Sequence, residues 1–172
     1  MLSRYGLDAK PYNTEWVDIT WETCSLRKWL NGEFLNTAFN AQEQAKIAET
    51  TVSNPDNSVY GTAGGDATAD RVFLLSIGEA YRYFKTHDDR TAKPTPYAAK
   101  NGADVVTAED IRKYDWLEQK HEGNCVWWLR SPGRDQSRAA DVSSGGVVYD
   151  GGSYVFNDGN AVRPAFWLNP ES

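Results

Sequence analysis

Trp127-Trp128-Leu129-Arg130-Ser131-Pro132-Gly133 and Ala161-Val162-Arg163-Pro164-Ala165-Phe166-Trp167-Leu168 are two aromatic, arginine-bearing segments of strand character, and what lies between them decides the reading of the chain. From Arg134 to Asn160 there is no Lys, Glu, Met or Leu. The stretch is built mainly from Ser, Gly, Asp, Asn, Arg, Tyr and Val. Binding loops use the same vocabulary, with Tyr as rigid contact area and Ser, Gly and Asn as adaptable hydrogen-bonding groups. The brackets therefore read as scaffold and the interior as a contact surface. Adjacent strand residues face opposite sides and one face must be buried, so Trp127, Trp128, Phe166 and Trp167 read as core rings rather than a carbohydrate platform. Arg130 and Arg163 stand inside apolar segments, so carboxylates or carbonyls must answer them, a structural role.

Working outward, strands are expected at Val126–Arg130, Ala139–Ser143, Gly146–Asp150, Ser153–Asn157 and Ala161–Leu168. Gly145-Gly146, Asp150-Gly151-Gly152 and Asp158-Gly159 supply the turn signals between them. Val155 alternates with Tyr154 and Phe156, which sends the two rings to the face opposite Val155. Exposed rings among small polar residues are enriched at interfaces. The expected contact set is Arg134, Asp135, Ser137, Arg138, Asp141, Ser143, Ser144, Tyr149, Asp150, Ser153, Tyr154, Phe156, Asn157 and Asp158.

The upstream part is helical and loop-rich. Met1 to Trp21 has extended character, and Leu26, Trp29 and Leu30 mark a short helix over Thr23–Leu30 that stops at Asn31-Gly32. Phe34, Leu35, Ala38 and Phe39 keep helical spacing, and Asn40 to Glu43 is a capping signal. Thr51–Asp70 reads as a polar loop, Val72–Leu75 as a buried strand, and Ser76-Ile77-Gly78-Glu79 as a capping box opening a helix with Ala80, Tyr81 and Phe84 on one face. Thr86–Gly102 reads as loop, with Pro94 and Pro96 as breakers. Thr107–Gln119 reads as a surface helix with Ile111, Tyr114 and Leu117 inward. Helices first and a strand meander last define an α+β domain spanning 1–172 without a dividing linker.

Composition excludes several function classes. At 172 residues with 40% hydrophobic and 13% aromatic content, the chain can bury one core resting on rings and Val. A net charge of −6 disfavours nucleic acid as a partner. No apolar run approaches the roughly 18 residues that span a membrane, and no signal peptide opens the sequence. Cys24 and Cys125 read as buried free thiols, with a single bridge as the alternative. His87 and His121, in charged surroundings, read as solvated. Asn54-Pro55-Asp56 and Phe156-Asn157-Asp158 read as turns rather than a calcium site, which needs six to eight oxygens in a compact array. No nucleophile motif, phosphate loop or metal-binding His pair is present, so neither catalysis nor a cofactor is expected.

Five segments in series carry a family resemblance: Tyr5–Tyr12 (YGLDAKPY), Thr20–Asn31 (TWETCSLRKWLN), Asp70–Ile77 (DRVFLLSI), Gly123–Gly133 (GNCVWWLRSPG) and Ala161–Leu168 (AVRPAFWL). Together they resemble a bacterial and phage domain of unknown function related to the formylglycine-generating-enzyme branch of the C-type lectin fold. The paired WWLRSPG and VRPAFWL elements also look like those of variable proteins of diversity-generating retroelements. The resemblance implies a C-type-lectin-like fold in which 127–168 is the variable region and 134–160 contacts the ligand. It implies a protein or glycan ligand and a cell-surface or virion-surface location. Diversification at Asn codons commonly yields Ser, Asp, Gly, Tyr, Val, Arg, Phe or Asn, to which Gln136 does not belong. Members of the family it resembles usually carry another N-terminal strand before the segment matching Leu2-Ser3-Arg4-Tyr5, and the chain begins inside that match, implying a fragment or a sheet completed by another chain. Cys24 and Cys125 do not match the close cysteine pair of the formylglycine-generating enzymes, so the resemblance implies binding rather than that chemistry. A structural or assembly module of a phage tail or cell-surface protein is the alternative it leaves, followed by an enzyme of the formylglycine-generating type.

Overall fold

A computed structural model describes residues 1–169. In chain order the elements are β1 (Asp8–Ala9), α1 (Ser25–Trp29), a π-helical turn (Leu30–Phe34), α2 (Leu35–Ala38), α3 (Ala41–Lys46), β2 (Thr50–Val52) and β3 (Thr68–Asp70). There follow α4 (Ile77–Tyr83), α5 (His87–Arg90), α6 (Pro96–Lys100), α7 (Ala108–Lys113), a 3-10 turn (Gln119–His121), β4 (Trp127–Pro132), β5 (Arg138–Val142), β6 (Val148–Tyr154) and β7 (Ala161–Val162). The architecture is α+β, with short helices around a sheet of order β1-β7-β4-β5-β6 and a separate β2-β3 pair. Every strand pair is antiparallel except β4 with β7.

The bracketing segments hold the centre of this sheet. All six residues of β4 are buried, so both of its faces are covered. Trp127 donates its indole N–H to Arg90 O at 3.1 Å and Trp128 donates to Lys10 O at 2.9 Å, which satisfies the one polar atom of each buried ring. Tyr12 packs edge-on against Trp128 and donates its hydroxyl to Arg130 O at 2.8 Å. Both buried arginines take the structural role. Arg130 pairs with Glu79 and donates to the carbonyls of Leu74 and Ser53. Arg163 donates to Ser3 O and Arg90 O and stacks on Trp127 and Phe84. Burial lowers Arg163 to about 10, which leaves it charged at neutral pH.

Several local expectations are corrected. Asn31-Gly32 does not stop the first helix, which runs on through the π-turn to Ala38. Asn31 faces inward: its Oδ1 accepts from the N–H groups of Arg71 and Val72, and its Nδ2 donates to Val72 O. Val72–Leu75 is buried yet irregular, because Asn31, Arg130 and the β4 backbone take the hydrogen bonds a ladder would use. Pro96 opens α6 instead of breaking a loop, with Thr95 as its cap. The helix expected over Thr107–Gln119 is confined to Ala108–Lys113. Of its three inward residues only Leu117 is buried.

Toward the C-terminus the regular strand ends at Val162, because Pro164 has no N–H to continue the ladder. Ala165 then bridges to Leu2 and to Phe73, and Leu168 to Ile47. Phe166 reaches the core through Phe39, but Trp167 lies past the sheet and remains 46% exposed. His121 is buried rather than solvated. Its Nδ1 accepts from the Glu118 N–H, and its ring packs beside Gly145. Both cysteines are buried and free.

Candidate functional site

Asp150-Gly151-Gly152 does not turn the chain, and that single correction shapes the surface. Much of the expected Gly146–Asp150 strand and the start of the expected Ser153–Asn157 strand form one strand, β6, which ends at Tyr154 and whose pairing with β5 slips between Ala139 and Asp141. Gly152 sits at φ +67°, and a Cβ there would meet Ala139 O at 2.1 Å. The glycines therefore serve a bulge, where L side chains are excluded. A Cβ on Gly151 would stand 3.2 Å from the Tyr149 ring, so the absent side chain lets that ring lie back along the strand.

On this bulged strand pair Arg138 lies opposite Tyr154, with its guanidinium 3.7 Å from the ring centroid. Tyr154 stacks on Phe156 at 5.6 Å with 24° between planes. Val155 between them is fully buried, as the alternation requires, while Tyr154 and Phe156 are 40% and 45% exposed. Arg138, Tyr149, Ser153, Tyr154, Phe156, Asn157 and Asp158 line one open concavity of about 560 Å³. Seven residues of the expected contact set thus converge on one surface.

The other seven do not share it equally. Arg134 and Asp135 are exposed on the β4–β5 connection and pair at 3.4 Å. Ser137 donates to Asp135 at 2.6 Å, and this bond, more than the neighbouring arginines, holds the Asp135 carboxyl below its ordinary range. Ser143 is half-buried and accepts the Val147 N–H in the tight β5–β6 turn. Asp150 is half-buried, its carbonyl accepts from Asn57, and desolvation raises its carboxyl.

Two expected contacts are corrections. Ser144 is buried because its carbonyl takes the Asn124 amide inside the fold. Asp141 is buried on the inner side of β5, where it accepts from Ser153 Oγ at 2.7 Å. Desolvation outweighs that bond and pushes Asp141 up to about 6. A raised folded-state pKa means the native state holds this proton while the unfolded chain has lost it. Stability therefore falls as pH rises from about 4 to about 6, and the full penalty persists above that window. Asp141→Asn is expected to add about 2–3 kcal/mol near pH 8 and little near pH 4. Urea unfolding at both pH values measures this, and an equal gain at both would refute the burial cause.

Trp16 is the contact that sequence reasoning missed. It is 68% exposed and meets Tyr154 at 6.0 Å and Phe156 at 5.6 Å. Its segment is held along the sheet by Asn13 N–H to Val155 O and Ile19 N–H to Gln136 O. Its local signal is weak, a ring set among polar residues in Thr14-Glu15-Trp16-Val17-Asp18. Gln136 is a scaffold contact by its side chain too, donating to Ala63 O. The two tripeptides weighed as calcium donors form turns: Asn54 donates to Asp66 O, Asp56 accepts the Gly64 N–H, and Asn157 accepts the Gly159 N–H.

The class defined so far is an α+β domain with an exposed aromatic concavity on its edge strand. The chain belongs to a family described as a domain of unknown function (DUF6273), whose model matches residues 1–170. No significant match to the chain was found among the curated proteins or the solved structures.

Proposed function

We propose that this domain is a binding module in which a C-type-lectin-like scaffold displays residues 134–160, joined by Trp16, as a contact surface for a protein or glycan. On this reading it is a variable protein of a diversity-generating retroelement acting at a cell or virion surface, without metal or covalent chemistry. The observation that carries it is the convergence of four exposed rings, Trp16, Tyr149, Tyr154 and Phe156, with polar side chains along the β5–β6 edge of the sheet. Rigid aromatic anchors with a polar surround are what interfaces concentrate their energy in. The thiols favour binding over catalysis, because burial pushes both Cys24 and Cys125 up to about 12 and keeps them protonated at neutral pH. Among the described residues no helix is long and apolar enough to cross a membrane.

The Tyr149→Ala/Tyr154→Ala/Phe156→Ala variant is expected to keep the native fold while losing about thirtyfold or more in affinity for ligands selected against the native domain. Circular dichroism and titration read the two effects. Unfolding would make the rings core, and undiminished affinity would move the site elsewhere. Diversification is tested separately in the neighbouring DNA. A reverse transcriptase and a near-copy of the segment encoding Trp127–Leu168 are expected, with differences at codons of the exposed residues. A neighbourhood lacking both removes the retroelement reading and leaves the binding one to its own test.

A further inference from the structure

The charge around the aromatic cluster is lopsided. Arg134 and Arg138 are both within ion-pair distance of Asp135, at 3.4 and 3.5 Å. Glu15 and Asp18, which flank Trp16 in the chain, and Asp158, on the rim of the concavity, are exposed. None of these three carboxylates has a side-chain hydrogen bond or an ion-pair partner among the described residues. Arg134 and Arg138 share the one carboxylate of Asp135, and the three unpartnered carboxylates outnumber the single positive charge that trio leaves. The net charge of −6 extends the same bias over longer range.

The rings have a matching bias. Tyr154 already carries the Arg138 guanidinium on one side and packs against Phe156 on the other. A cation on an aromatic face is thus built into the cluster, and Trp16, the strongest such acceptor by residue type, is the most exposed of its rings.

We infer that the surface takes a basic segment of a protein partner, with an arginine side chain laid on Trp16 and Phe156 and the carboxylates of Glu15, Asp18 and Asp158 around it. Arginine suits the geometry better than lysine, because its planar guanidinium stacks on rings and still donates in-plane to carboxylates. Phosphorylated segments and nucleic acids would meet three unanswered carboxylates and are disfavoured. Trp16 lies outside 134–160, so it supplies the same anchor whatever residues that stretch carries. This partner chemistry rests on the binding-module reading.

A random-peptide display library selected on the native domain tests it. Enriched peptides should carry net positive charge and at least one Arg. A synthetic copy should weaken by about tenfold or more on Trp16→Ala, and likewise on Glu15→Gln/Asp18→Asn/Asp158→Asn. Its affinity should fall as salt is added. Neutral or acidic peptides that still need Tyr149, Tyr154 and Phe156 would overturn the cationic partner and leave the binding surface standing. Peptides indifferent to the triple ring variant would overturn both.

Discussion

Asp70→Ala is expected to cost about 3–5 kcal/mol, a large part of the stability of a domain this size. Asp70 is buried at the end of β3, where it organises four neighbours. Its Oδ2 accepts from the Trp21 indole at 2.9 Å and from Thr68 Oγ1 at 2.7 Å. Its Oδ1 accepts from Arg27 Nε at 2.6 Å and from Asn31 Nδ2 at 3.4 Å. Truncation leaves a fully buried indole N–H and the Arg27 Nε–H without their acceptor, while the rest of the guanidinium keeps Glu22 O and Ala69 O, and unmade bonds inside a fold cost more than made ones contribute. It also removes one of the contacts of Asn31, the residue that satisfies the backbone of the irregular Val72 segment. Asp70→Asn keeps an acceptor for Trp21 and should lose roughly half as much. Equilibrium urea unfolding measures both, and a loss below about 1 kcal/mol for the alanine variant would show that the network is not holding the β2-β3 pair to the helices.

What the sequence reveals of this fold is what depends on near neighbours. The Ser76/Glu79 capping box closes as the spacing predicts. Trp127 and Trp128 are both buried because β4 is covered on both faces, and Val155 is buried between the exposed Tyr154 and Phe156 as expected, although β6 ends at Tyr154. The failures share one cause, a distant partner overriding a local signal. Asn31-Gly32 reads as a stop until Val72 arrives to occupy the Asn side chain. Asp150-Gly151-Gly152 reads as a turn until β5 is laid against it and the glycines become the room for a bulge. His121 reads as solvated until the β5–β6 turn covers it.

The site divides the same way. The rings at the end of β6 and just past it are readable because they alternate with the buried Val155. Asp141 and Ser144 were misread because nothing local distinguishes an inward polar residue with a partner from an outward one without. Trp16 reaches Phe156 across most of the chain, and only the pairing of Asn13 with Val155 brings the two together.

Asn57→Ala should remove about 3 kcal/mol or more, with the loss centred beneath the contact surface. Asn57 is 2% exposed in the loop after β2, and its Nδ2 serves the carbonyls of Pro132, Gly133 and Asp150. Its Oδ1 in turn accepts from the N–H groups of Val59 and Tyr60, so one amide joins the loop to the end of β4 and to β6. Removing the amide takes one donor from each of those carbonyls. The next hydrogen bond along, from Arg134 N–H to Gly151 O, closes the bulge that aims Tyr149 and Tyr154. Hydrogen exchange at Arg134 is therefore expected to speed up more than exchange in β4, the mark of local opening rather than uniform weakening. Asn57→Asp keeps the shape and reverses the polarity, turning a donor into a buried anion facing three carbonyls. It should be worse than alanine near neutral pH and recover on acidification, as protonation restores one donor. If Asn57→Asp matched the native protein at neutral pH, the amide would not be the strut between loop and surface, and the rigidity of the aromatic concavity would need another source.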